Sequence, residues 1–137
     1  MKQDEHTNAL PQMNGDVPPK FMMKFFMGED IPIDGGWGYS KDDAVIITTD
    51  NSFEGVQLEY EFAEQRAQLD VMELDELYPD KNHYFESYRP LLQSLKEIDG
   101  VPYDVIEAEV TVSDDDDNET TYRTECWFNI AQFFGKY

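Results

Sequence analysis

The chain is short of positive charge, cysteine, histidine and long apolar runs, and each shortage removes a class of explanation. Ten lysines and arginines stand against thirty aspartates and glutamates in 137 residues, a net charge of −20. Phosphate neutralisation needs a basic surface, so direct contact with nucleic acid is not expected. An anionic membrane repels the same charge. Cys126 stands alone, so no intrachain disulfide forms, and a reducing cytoplasm is the expected location. Zinc signatures need His and Cys at defined spacing, which His6, His83 and Cys126 do not supply, and no metal or cofactor is expected. No apolar stretch approaches the roughly 20 residues of a spanning helix. The start, MKQDEHTNALPQMNGDVPPK, lacks the apolar core of a signal peptide. Residues 1–19 read as a disordered polar tail, and Met22-Met23-Lys24-Phe25 offers a second start of translation.

What is present argues for a folded domain over residues 20–137. Hydrophobic residues make up 40% and aromatics 14%, too many for a wholly disordered acidic protein. A net charge of magnitude about 2–8 suffices for solubility of a small domain. A charge of −20 adds self-repulsion, so it needs a reason. A basic protein partner, a cation or a very salty solvent would each supply one.

Periodicity predicts the elements. Residues 20–27, KFMMKFFM, form an apolar run bounded by a turn and read as a buried strand. Residues 28–42 form a loop with Gly28, Gly35, Gly36 and Gly38, and its two large aromatics, Trp37 and Tyr39, mark it as ordered. Ala44–Thr49 is a β-branched strand. Val56, Leu58, Tyr60 and Phe62 alternate with Gln57, Glu59 and Glu61, which predicts a strand with one wet face. From Ala63 the spacing becomes helical through Ala67, Val71, Leu74 and Tyr78. Tyr84, Tyr88, Leu91, Leu92, Leu95 and Ile98 predict a further helix, kinked or restarted at Pro90 and capped by Gly100. Residues 103–112 and 120–130 alternate again and read as a long hairpin with an acidic turn. The sum is an α+β fold: a mainly antiparallel sheet of about five strands with one or two helices packed on one face.

Few residues promise chemistry. Asp114–Glu119 lacks EF-hand spacing, since Glu119 stands where the loop glycine belongs, and reads as a solvated, mobile hairpin tip. His83 reads as a surface residue and Cys126 as a buried structural thiol. Gly35-Gly36-Trp37-Gly38 lacks both the Lys-Ser/Thr pair of a P-loop and the dinucleotide spacing. Two of the loop carboxylates Glu29, Asp30, Asp34, Asp42 and Asp43 could act as acid and base, but such pairs arise by chance in so acidic a chain. The expected site is therefore non-catalytic. It is an acidic face of Asp30, Asp34, Glu59, Glu61, Asp114, Asp115, Asp116 and Asp117, with Trp37, Tyr39 and Trp127 as aromatic anchors.

The stretch FFMGEDIPIDGGWGYSKDDAVII resembles the N-terminal segment of small bacterial immunity proteins of polymorphic and contact-dependent growth-inhibition toxin systems. The resemblance spans roughly the first third of the domain. It implies a cytoplasmic, non-enzymatic inhibitor that covers the active site of a basic, nuclease-like toxin. It supplies no motif for toxin contact. Three other readings accompany it: a phage-type nucleic-acid mimic that inhibits a host DNA- or RNA-binding protein, an acidic domain adapted to high salt, and an enzyme using Asp30 or Asp34.

Overall fold

A computed structural model describes residues 8–13 and 16–134. In chain order the elements are β1 (Asn8–Ala9), α1 (Pro19–Met27), β2 (Ile33–Gly35), β3 (Val45–Ile47), α2 (Ser52–Leu77), β4 (His83–Ile98), β5 (Val101–Asp114) and β6 (Glu119–Asn129). The strands form one mixed, mostly antiparallel sheet in the order β2-β3-β6-β5-β4, with β1 added beside β6. β1 and β3 lie parallel to β6, and the other pairs are antiparallel. The fold is α+β, as the sequence predicts.

The β5–β6 hairpin carries the expected faces. Ile106, Ala108, Val110 and Val112 are buried beneath α2, opposite Cys126, Thr124, Tyr122 and Thr120. Phe62 of α2 meets Phe128 edge-on at 5.9 Å between ring centroids and Trp37 at 6.0 Å, which ties helix, sheet and loop at one point. Cys126 is buried, as expected, and burial pushes its thiol up to about 12 against the pull of Arg66.

Three element assignments change. Residues 19–27 are helix, not strand. Pro19 sits in the first turn, where its missing N–H costs nothing, and Gly28 ends the helix in the left-handed conformation with φ 78°. Residues 55–62 are not a strand but the start of α2, capped by the Asn51 side chain accepting from the Glu54 N–H. The buried stripe of Leu58, Phe62, Ala63, Ala67, Val71 and Leu74 runs through the whole helix, and Val56 is turned outward.

The third change is the largest: residues 83–98 are strand β4, not helix. Its pairing with β5 slips by one residue between Phe85 and Ser87 and again between Pro90 and Leu92. Each bulge shifts the alternation by one, and two bulges in a period of two imitate a spacing of three and four. β4 is an edge strand, where Pro90 is tolerated. Asp99 and Gly100 both have positive φ, 53° and 80°, and form the two-residue turn into β5, not a helix cap.

The tail expected over residues 1–19 also changes where it is described; residues 1–7 and 14–15 lie outside the described residues, as do His6 and Tyr137. Asn8 and Ala9 pair with Tyr122 and Arg123, Leu10 is buried, and the Met13 N–H reaches into the core beside Asp70. No helix among the described residues is long and apolar enough to cross a membrane.

The glycine loop is rigid for a reason visible at Gly38. Its φ is 84°, its carbonyl accepts from the Trp127 N–H at 2.7 Å, and an added Cβ would meet the Trp127 oxygen at 2.9 Å and Cys126 Sγ at 3.0 Å. Gly38→Ala is expected to cost on the order of 3 kcal/mol, as left-handed strain and overpacking combine. Gly28→Ala meets open space and is expected to cost only about 1–2 kcal/mol from its φ. Urea denaturation of the two variants checks the difference.

Candidate functional site

The helical stripe of α2 carries charge into the core. Glu59, Arg66 and Asp70 of α2 are buried with Asp104 of β5. Arg66 and Asp70 sit one turn apart, Nε to Oδ2 at 3.5 Å. Arg66 Nη1 donates to the Trp37 carbonyl at 3.1 Å, and Nη2 donates to Thr124 Oγ1 at 2.8 Å and the Glu125 carbonyl at 2.6 Å. The guanidinium lies over the Tyr39 ring, 4.2 Å from its centroid. Asp70 Oδ1 accepts from the Tyr39 hydroxyl and from the Met13 N–H. Burial pushes Asp70 up to about 6, a shift that Arg66, Tyr39 and Met13 only partly offset. This cluster joins the N-terminal segment, the glycine loop, α2 and β6. Its role is architectural.

Glu59 and Asp104 form a second buried group. Gln93 Nε2 donates to Asp104 Oδ2 at 3.3 Å, while no donor among the described residues reaches either Glu59 oxygen. Burial first, and then the neighbouring Asp104 carboxyl, push Glu59 up to about 10. Buried without a donor and beside a second carboxyl, Glu59 favours its neutral, protonated form. A raised carboxyl beside a second one suits acid–base chemistry, but Glu59 is fully buried and lines neither of the neighbouring grooves.

Several expected contact residues are thus removed from the surface. Glu59 is 0% exposed and cannot meet a partner. Trp37 is 6% exposed, its Nε1 donating to the Val17 carbonyl at 3.1 Å. Tyr39 is half-buried with its hydroxyl engaged by Asp70. Trp127 is half-buried on the open sheet face, edge-on to Tyr103, with Nε1 donating to Glu125 Oε2 at 2.9 Å.

The hairpin tip is ordered, not mobile. Asp114 Oδ1 accepts from the Asp116 and Asn118 N–H groups at 2.8 and 3.1 Å. Asp115 accepts from the Asn82 N–H at 2.9 Å and the Tyr84 hydroxyl at 2.7 Å. Lys81 lies 2.9 Å from Asp116 and 3.6 Å from Asp114. For Asp114 desolvation, the largest single influence, pushes upward, but the Asn118 and Asp116 N–H groups and Lys81 together outweigh it and hold the carboxyl below its ordinary value. For Asp115 the Asn82 N–H and the Tyr84 hydroxyl do the same. Asp117 stays exposed, with φ 63° in the turn. His83 is largely covered, its Nδ1 2.8 Å from Asp75 Oδ1, so Asp75 locks the α2–β4 junction.

Asp30 and Glu61 are brought together. Glu29, Asp30, Glu54 and Glu61 line a groove of about 390 Å³ between the α1–β2 turn and the first half of α2. An adjoining groove of about 450 Å³ adds Phe26 and Glu64, sharing Met27, Glu29 and Glu61. Among the described residues Asp30 pairs with Lys24 at 3.4 Å, and no cation pairs with Glu29, Glu54, Glu61 or Glu64. Asp34 is exposed on β2, 3.8 Å from Lys20, outside this groove. The Asp114–Asp117 tip lies at the other end of α2, and Glu61 and Asp75 alone are roughly 20 Å apart along its axis. The expected acidic face is two acidic regions. Glu29, Glu54 and Glu64, not named among the expected contacts, line the same grooves, and their signal was the spacing of 54, 61 and 64 along one helix beside the Glu29-Asp30 turn.

Comparison with protein-family models, with curated proteins and with solved structures finds no match. The functional reading rests on the geometry and on the chemistry of these side chains.

Arg66→Met is expected to cost about 3–5 kcal/mol, because it strips three carbonyl or hydroxyl acceptors and leaves Asp70 buried without its counter-charge. A double change with Asp70→Leu should recover part of that loss in the same denaturant titration. Glu59 gives a pH test. Its folded pKa, about 10, lies above its ordinary 4.5, so the folded state holds the proton more tightly. Its contribution to stability is full below pH 4.5 and is lost as pH rises toward 10. Glu59→Gln should flatten that fall, read as the difference between variant and parent in melts across the range. Parallel curves would overturn the assignment of a protonated Glu59 in the folded state.

Proposed function

We propose that the chain is a non-enzymatic acidic binding protein that neutralises a basic partner, a nuclease-like toxin domain, by covering its active site. The observation that carries this reading is the groove of carboxylates at Glu29, Glu54, Glu61 and Glu64, none paired with a cation among the described residues, joined by Asp30. A row of carboxylates along a helix and turn competes for the same Lys and Arg side chains that hold a nucleic-acid backbone. The net charge of −20 steers such a partner from a distance. Arg66 offsets Asp70 inside and burial favours neutral Glu59, so most of the chain's acidity lies outside the core. The immunity-protein resemblance of FFMGEDIPIDGGWGYSKDDAVII supports the same class of partner. A role inside the reducing cytoplasm follows from that class.

The test is to identify the neighbouring gene and, where it encodes a toxin domain, to coexpress the two and measure their association. The complex is expected to inhibit the toxin and to associate more slowly as salt rises. Glu61→Lys and Glu64→Lys together should slow association about tenfold at low salt and flatten its salt dependence. Asp116→Lys at the hairpin tip should change it less. Salt-independent association, or a larger effect at the tip, would count against the groove as the contact.

A further inference from the structure

The acidic groove has an apolar neighbour that electrostatics alone leaves without a use. α1 seats Met23 in the core but turns three rings to solvent: Phe21 is 68% exposed, Phe25 86% and Phe26 51%. Phe21 and Phe25 are one turn apart and, with Val17, Met22, Gly28 and Lys24, whose ammonium is taken up by Asp30 at 3.4 Å, line a mainly apolar groove of about 560 Å³. Phe26, the next residue, lines the carboxylate groove with Glu61 and Glu64. The apolar ridge and the acidic groove therefore run into one another across α1. Three exposed rings on a nine-residue helix exceed what scattered surface hydrophobes explain.

We propose that α1 and the carboxylate groove are one docking surface for a basic amphipathic helix of a partner protein, apolar side chains on Phe21 and Phe25 and Lys or Arg side chains against Glu61 and Glu64. This rests on the reading that the chain binds a basic protein, and it names the surface and the chemistry. The charge decides the occupant. A second copy brings the same −20 and the same carboxylates to the contact. An anionic bilayer is repelled. A neutral apolar surface would cover the rings and strip water from unpaired carboxylates beside them. A plain polycation would fill the acidic groove and leave the rings wet. An amphipathic helix with basic and apolar faces satisfies both halves, with side chains at i and i+4 matching the ridge. Aromatic anchors of this kind dominate binding energy where they are covered.

The experiment uses the full chain, isotopically labelled, and three probes: a synthetic amphipathic Leu/Lys helix of about 18 residues, poly-lysine of matched charge, and phosphatidylcholine vesicles. The Leu/Lys helix should bind about tenfold or more tightly than poly-lysine and shift the signals of Phe21, Phe25, Glu61 and Glu64. Phe25→Ser should lose about tenfold for the Leu/Lys helix and nothing for poly-lysine. Phe25 packs against little, so the variant keeps its fold, and Phe21→Ser repeats the test at the second ring. Glu61→Lys should weaken both basic probes. Equal binding of the two basic probes, unchanged by Phe25→Ser, overturns the shared surface and leaves the acidic-inhibitor reading standing. Failure of both basic probes at low salt overturns both. Vesicle binding lost in Phe25→Ser assigns the rings to lipid, and self-association lost in the same variant assigns them to a second copy. Either overturns the proposal, as do contacts of the Phe25 ring with residues 1–7 or 135–137 in the free chain.

Discussion

The fold depends on a guanidinium placed where apolar side chains belong. Arg66 sits in the buried stripe of α2 and stays charged at any pH the protein meets. Burying it bare would be prohibitive, so its surroundings are fixed by its donors. The Trp37 carbonyl, the Thr124 hydroxyl and the Glu125 carbonyl must converge on it, with Tyr39 beneath and Asp70 alongside. That requirement explains the glycine loop. Trp37 can offer its carbonyl inward only if Gly38 takes a left-handed turn against Trp127. The N-terminal segment is drawn into the same cluster through Met13.

A buried cation in an acidic chain also shapes what remains outside. Asp70 and Arg66 offset each other in the interior, and Glu59 enters it with a proton. At the hairpin tip Lys81 and several N–H groups take up much of the charge of Asp114–Asp116. The tip is thus an ordered turn in which Asp114, Asp115 and Asp116 already have partners and Asp117 stays exposed. Near the first half of α2, by contrast, Glu29, Glu54, Glu61 and Glu64 line the adjoining grooves with no cation partner among the described residues. The acid-rich DDDDNE run, the most conspicuous charge in the sequence, is the less available of the two regions.

The parts of the fold that were legible share one property: an unbroken phase. The β5–β6 hairpin alternates without a slip for eleven residue pairs, so its faces follow directly from sequence. β4 hid because bulges at Glu86 and Leu91 reset its phase, and the Asp-Gly signal that ends it serves helix caps and hairpin turns alike. The start of α2 hid because Val56 and Tyr60, which lie on or near its outer face, happen to complete an alternation with Leu58 and Phe62. α1 hid because apolar residues face solvent there, and a run apolar on all sides reads as buried. The site was half legible. Asp30 and Glu61 were within reach of charge and exposure, whereas Glu59 and Trp37 were not, because polarity does not report burial when a partner waits inside. Arg66 and Asp70 did leave a trace: at helical spacing they interrupt the stripe of Ala63, Ala67, Val71 and Leu74.

The same two constraints, charge paired inside and rings left outside, set the character of the surface. A chain selected only for solvation in salt has no use for Phe21, Phe25 and Phe26 on an exposed helix, since each exposed ring carries a hydration cost that acidity does not relieve. A chain selected only as an electrostatic decoy has no use for them either. Their place beside the unpaired carboxylates, on a helix anchored by Met23 and closed by Gly28, means that apolar and anionic surface are held in a fixed relation by the core. Electrostatic steering sets how fast a basic partner arrives and weakens with salt, while covered aromatic surface sets how long it stays and does not. A surface that combines them separates arrival from residence, the division of labour that the proposed inhibitor role requires.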